Sequence, residues 1–267
     1  VVVVTAVLAA VAACVVPGPV ERARPEPAPA AAPITATDAG DALRQLADRA
    51  AAQPPPPDGR YDYVHTVEWT EDGIGIAEDA VAPGPARIET RAWMGIDGSL
   101  RREQQLIDET GAGSFPPHEV SFPPDGRGGA EEIPIDPVAL REFLAGTWPP
   151  EGSAPLIGAV ALLHQSRVVE PEEMAAILGV LAAEDGLGVE LRAVDLLGRE
   201  GVAVTGHRVA AGVTHRRSLI LDATTGALLG TDQTSLDAGA PAGSRPSTGA
   251  RIAFAGSGRV DTIGERP

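Results

Sequence analysis

The chain has no lysine, no asparagine and a single cysteine, Cys14, and only nine of its 267 residues are Phe, Trp or Tyr. One cysteine excludes an internal disulfide and any zinc site built on paired cysteines. Without asparagine there is no acceptor for N-glycosylation. Lysine and asparagine have AT-rich codons, so their absence, beside abundant Ala, Gly, Pro and Arg, points to a GC-rich genome. Much of the Ala and Arg usage therefore needs no functional explanation. Cationic residues are also scarce: 21 Lys and Arg face 37 Asp and Glu, a formal charge of −16. That field repels a phosphate backbone and argues against nucleic acid as a partner. The acids are spread rather than blocked, as on a solvated surface.

Motifs of catalysis are missing as well. The five histidines, His65, His118, His164, His207 and His215, form no HExxH and no pair at metal-ligand spacing on one helix. His207 and His215 fall on neighbouring predicted strands across a short turn, where they are able to face each other; the plainer reading is two polar residues of a sheet face. Gly73-Ile74-Gly75 and Gly186-Leu187-Gly188 do not open a helix after a buried strand, so both read as turns rather than phosphate cradles. There is no GxSxG elbow, and Ser153, Ser166 and Ser257 have no local partner pattern. Asp222 in LILDATTGALLG is explained by an Asx-type turn, with Gly226 relieving φ at its end. Trp69, Trp93 and Trp148 read as core anchors. No catalytic, cofactor-binding or metal-ligating residue is assigned.

What the chain does have is a long uncharged start. Val1–Val16 carries no charge and is stopped by Pro17. A spanning helix needs about 20 apolar residues, so residues 1–16 read as the C-terminal part of a transmembrane anchor whose beginning lies upstream of Val1. VAAC, ending at Cys14, offers a second reading as a lipobox with Cys14 lipidated. A cleaved secretory signal is the third. Val15 and Val16 continue the apolar run past the cysteine, which favours the anchor. Residues 17–37 are rich in Pro and Ala and read as an extended stalk. Residues 38–267 then form one domain on the extracytoplasmic side.

Within that domain Thr37–Gln53 reads as an amphipathic helix capped by Asp38 and ended by Pro54–Pro57. Tyr61–Thr70 has strand composition, and Asp97-Gly98 marks a hairpin inside ARIETRAWMGIDGSLRREQQLID. Gly111–Gly129 reads as a long surface loop. Asp136 and Pro137 open a helix with Val138, Leu140, Phe143 and Leu144 on its apolar side. Two more helices follow, in SAPLIGAVALLHQSR and EPEEMAAILGVLAAE. From Val189 the period changes to two, giving a β-meander through VELRAVD, GVAVTGHRV, VTHRRSLILD and ALLGTDQTS, with a last strand in ARIAFAGSGRV.

Strands, then helices, then strands give an α+β domain: a curved, half-barrel-like antiparallel sheet with helices on one face, after an apolar anchor helix. The ordered set of anchor, amphipathic helix, YDYVHTV, WMGIDGSLRR, IPIDPVALREFL, AVDLLGREGVAV, LILDATTGALLG and VDTIGERP resembles an uncharacterised actinobacterial family of membrane-anchored extracytoplasmic proteins. The resemblance implies a gene near an extracytoplasmic-function sigma factor and carries over no site residues. A weaker likeness at the level of fold is to the lipoprotein-carrier half-barrels of the LolA and LolB type. Three functions follow as expectations. The first is a non-catalytic sensor or regulatory domain of the cell envelope, held at the membrane by its N-terminal segment, with an envelope ligand or regulatory protein as partner. The second is a module that binds or carries a lipid or other apolar ligand. The third is a hydrolase with a site outside the known motifs.

Overall fold

The elements begin where the side-chain chemistry sets them. Asp38 accepts a hydrogen bond from Asp41 N–H at 2.8 Å and starts helix α1 (Ala39–Ala51), which buries Leu43, Leu46 and Ala50 at helical spacing. After the prolines, strand β1 (Tyr61–Thr70) runs antiparallel to β4 (Ala86–Gly95), and β4 turns at Asp97-Gly98 into β5 (Leu100–Asp108). Gly98 takes φ +83°, and Asp97 Oδ1 accepts from Ser99 N–H at 2.9 Å, so the turn is built as the Asp-Gly pair requires. The computed structural model describes residues 33–36, 38–71, 74–77, 80–82, 84–108, 113–114, 116–123, 131–147, 154–210, 212–237 and 247–267. The expected anchor, Cys14, most of the stalk, Trp148 and Ser153 lie outside the described residues. Among those described, no helix is long and apolar enough to cross a membrane.

Two short strands, β2 (Ile74–Ala77) and β3 (Ala80–Ala82), pair with each other. Gly73 lies outside the described residues, but Ile74 and Gly75 sit in β2 opposite Ala82 and Val81, which corrects the turn reading for those two. The expected loop at Gly111–Gly129 is corrected too: β6 (Gly113–Ser114) and β7 (His118–Phe122) both pair with β5. Val120 and Phe122 are strand formers, but five residues between Pro116-Pro117 and Pro123 are too few to stand out from that Pro-rich frame. The same prolines limit the length of an edge strand, which discourages pairing with other chains.

The helical layer comes next. Asp136 Oδ1 accepts from the N–H groups of Val138 and Ala139 and opens α2 (Pro137–Thr147). Leu140 and Leu144 are buried, but Val138 is 67% exposed and does not belong to the apolar side. Helix α3 (Ala154–Ser166) lies on the sheet, and α4 (Pro171–Ala182) packs against α1 and α2. Glu173 reaches back to accept from Glu170 N–H at 2.7 Å, a capping box with Pro171 at the first helical position. Met174, Ile177, Leu178 and Leu181 of α4 enter the core, each worth roughly 2 kcal/mol on leaving water.

The meander follows as β8 (Gly188–Val194), β9 (Glu200–Ala210), β10 (Val213–Leu221), β11 (Leu228–Asp237) and β12 (Ser247–Val260). All pairs are antiparallel, and the sheet order is β6-β5-β4-β1-β12-β11-β10-β9-β8, with β7 also on β5. The first and last long strands are thus neighbours, with Tyr61 opposite Val260 and Thr70 opposite Ala250. The sheet does not close on itself. Alternation divides its faces. Val64, Val202, Val204, Leu219, Leu221 and Phe254 meet the helices, whereas Tyr63 and Trp93 pack with Val260 on the other side. The fold is α+β, with helices against one face of a large open antiparallel sheet.

Candidate functional site

Five segments meet at one place on the helical side of the sheet. They are the C-terminal turn of α1, the C-terminus of α3, the start of α4, the β10–β11 turn and the middle of β12. Between them lies a pocket of about 170 Å³, walled by Ala50, His164, Val169, Met174, Ala227, Leu228 and Phe254. Gln53, Arg167, Thr225 and Ser257 add polar groups to its wall.

The β10–β11 turn is positioned by α1. Asp222 Oδ1 accepts from Thr224 and Thr225 N–H at 2.6 and 3.0 Å, and Gly226 stands at φ +73°. This is the Asx-type turn expected for Asp222. A second reason for Gly226 is not visible in the sequence. A Cβ there would lie 2.5 Å from the carbonyl oxygen of Leu46, so the turn is seated directly on α1. Arg49 donates to the carbonyl of Ala223 from the same helix.

A charged network fixes the wall formed by α3 and α4. Asp62 of β1 accepts from Val168 N–H at 3.1 Å and from Arg259 Nε at 3.2 Å. Arg259 Nη2 also meets Glu170 Oε1 at 2.5 Å, and Arg167 donates to Glu131 O at 2.9 Å. Glu173, which meets Arg167 at 3.4 Å, has its carboxyl pushed above the usual range by burial. The link between α3 and α4 is therefore tied to β1 and to β12, the strand that brings Phe254 and Ser257 to the pocket.

His164 gives the pocket its chemical character. Its Nδ1 lies 2.9 Å from the carbonyl oxygen of Val160, one turn back in α3. Its ring meets Phe254 edge-on, with centroids 5.9 Å apart. Burial pushes its pKa down to about 4, against a smaller upward pull from the Val160 carbonyl. The imidazole is thus neutral at pH 7.

The other histidines go elsewhere. His65 Nε2 lies 2.8 Å from Glu89 Oε1 on the sheet face away from the helices, and burial lowers its pKa. His118 is opposite Gln104 at the β5–β7 edge. Register places His207 opposite Arg216 and His215 opposite Arg208, so His207 and His215 point to opposite faces and do not meet. His215 Nδ1 lies 2.9 Å from Ser235 Oγ. Among the described residues, no three His, Cys, Asp or Glu side chains are grouped to hold a metal ion. Ser166 Oγ donates to Leu163 O at 2.9 Å, and Gly186 is a turn residue at φ +77°. Trp93 is buried, as expected of a core anchor, and Trp69 is half-buried.

Sequence reading did not single out Asp195 and Arg199. Asp195 is 3% exposed, and its Oδ1 accepts from Leu197 and Arg199 N–H at 2.9 and 2.8 Å. Its only local signal is D-x-x-G-R, with Gly198 at φ +81° closing the β8–β9 turn. No family model matches the chain, and no curated protein matches it.

Proposed function

We propose that the protein is an extracytoplasmic binding domain, displayed at the membrane by its apolar N-terminal segment, that senses the cell envelope by taking a small apolar ligand into the pocket at His164. The observation that carries this reading is the convergence of five separate segments on a wall dominated by Ala50, Met174, Leu228 and Phe254. Cavities of about 150 Å³ lined by apolar side chains accept benzene-sized molecules. The pocket here has that size, which suits a small ring or one end of a longer apolar chain.

Helices facing an open sheet also agree with the half-barrel geometry of the lipoprotein carriers, where an apolar ligand lies between the two layers. The carrier reading shares the same pocket and differs in ligand length. In the chain α1 follows the proposed stalk, and Ala50 in its last turn and Gln53 just beyond it line the pocket, so occupancy is read by the element next in sequence to the stalk.

The test is a titration of the full chain with benzene and toluene, followed by NMR of the methyl groups of Met174, Leu228 and Ala50. The expected result is saturable shifts at these residues and a raised melting temperature. Unchanged spectra up to the solubility limit of both compounds would refute the binding reading. Native mass spectrometry of freshly purified protein separates a small ligand from a co-purified lipid.

A further inference from the structure

One side chain that lines the pocket, His164, has the roles of its two ring nitrogens assigned by a neighbour. The partner of His164 Nδ1 is a carbonyl oxygen, which only accepts, so Nδ1 bears the ring proton. The ring is neutral at pH 7, because burial holds its pKa far below neutrality. Nε2 is then a lone-pair acceptor with no proton of its own. Among the described residues no donor is placed on Nε2. Ser257 and Thr225 also touch the pocket, but a hydroxyl both donates and accepts and discriminates less. Arg167 on the same wall only donates and the Gln53 amide both donates and accepts, which leaves His164 Nε2 as the acceptor that carries no donor function of its own.

From this geometry we infer that the pocket selects small cyclic or aromatic alcohols over hydrocarbons of the same size, with the ligand O–H donating to His164 Nε2. The inference rests on the binding reading above and adds the chemical class of the ligand. Met174, Leu228 and Phe254 contact the ring of the ligand, and the imidazole reads its hydroxyl. A site built around an acceptor rejects the analogue without the donor, because the acceptor is then buried unpaired.

Phenol and toluene have nearly the same shape and serve as the probes. In calorimetric titrations of the full chain at pH 7, phenol is expected to bind about tenfold more tightly than toluene. Long-range ¹H–¹⁵N spectra should show the Nε2 signal of His164 moving with phenol and staying in place with toluene. H164F should bind toluene and lose the preference for phenol. If H164F does not fold, the wild-type affinities and the Nε2 signal decide alone. Equal affinities, or a phenol complex that leaves Nε2 unmoved, would overturn this inference and leave the apolar pocket standing. Failure of both compounds to bind would instead overturn the binding reading itself.

Discussion

Arg199 holds the buried carboxylate of Asp195 through two of its nitrogens: Nε and Nη2 lie 2.7 and 2.5 Å from the same Oδ2. Nη2 also donates to the carbonyls of Leu229 and Phe254 at 2.7 and 2.9 Å. One guanidinium therefore ties the β8–β9 turn to β11 and β12, and the Phe254 backbone carries the ring that faces the pocket. Asp195 is buried while the Arg199 side chain is partly exposed, so removing Arg199 strands a buried carboxylate, at a cost of up to about 3 kcal/mol. R199M is expected to lose about that much in urea unfolding. The exposed pair of Arg44 with Asp41 gives the contrast, and R44A should change stability by less than about 0.5 kcal/mol. Similar losses from both variants would show that burial does not set the worth of the Asp195 pair.

Two glycines of positive φ separate backbone strain from steric contact. Gly198, at φ +81°, has no atom within 4 Å of an added Cβ, while Gly226, at φ +73°, has the Leu46 carbonyl oxygen at 2.5 Å. G198A then costs only the left-handed conformation, about 1 kcal/mol. G226A has that cost and must also push the turn away from α1, so its loss should be about twice as large or more. Denaturant midpoints of the two variants measure the difference directly. Equal losses would mean that the turn does not rest on α1.

Most of the local structure was legible in the sequence, because it is set by residues near one another. Asp38 and Asp136 mark helix starts, Asp97-Gly98 a hairpin, and the period-two pattern after Val189 the meander. What was hidden depends on contacts between distant residues. Nothing around Tyr61 says that β1 pairs with β12, about two hundred residues later in the chain, and that pairing puts Phe254 and Ser257 beside His164. His207 and His215 show the same limit: their positions on adjacent strands were readable, but the register that turns them to opposite faces was not. Gly226 was legible as a turn residue and not as a seat for a helix. Asp195 was one acid among many until the fold buried it.

The final residues of the chain should respond to a single indole. Trp93 Nε1 donates to the carbonyl oxygen of Glu265 at 2.8 Å, and Pro267 lies over Gly258, where a Cβ would approach its ring carbons to 2.8 Å. W93F keeps an aromatic ring beside Tyr63 but removes the donor. The expected loss is about 1 kcal/mol, with faster hydrogen exchange in residues 261–267 and unchanged exchange in α4. G258A should loosen the same residues while leaving the indole in place. Unaltered exchange at 261–267 in both variants would show that neither contact holds this end of the chain.

The pH dependence of stability offers a separate test of His164. Its pKa is about 4 in the folded protein and 6.5 as an ordinary histidine. Between those values the unfolded chain holds the extra proton, so stability rises with pH across this window. The contribution is fully present above pH 6.5 and is lost as pH falls toward 4, for a total of about 3 kcal/mol. Glu68 and Glu173 have raised pKa values and act in the opposite sense, because their folded forms keep protons longer. The slope due to His164 is therefore taken as the difference between wild type and H164Q, which keeps a polar side chain without a titrating ring. Urea unfolding at pH 4.5 and pH 7 should show wild type losing about 2 to 3 kcal/mol more than H164Q over that interval. Parallel losses would mean that His164 takes up its proton in the folded state near pH 6, and the imidazole would then be a donor at both nitrogens in mildly acidic solution.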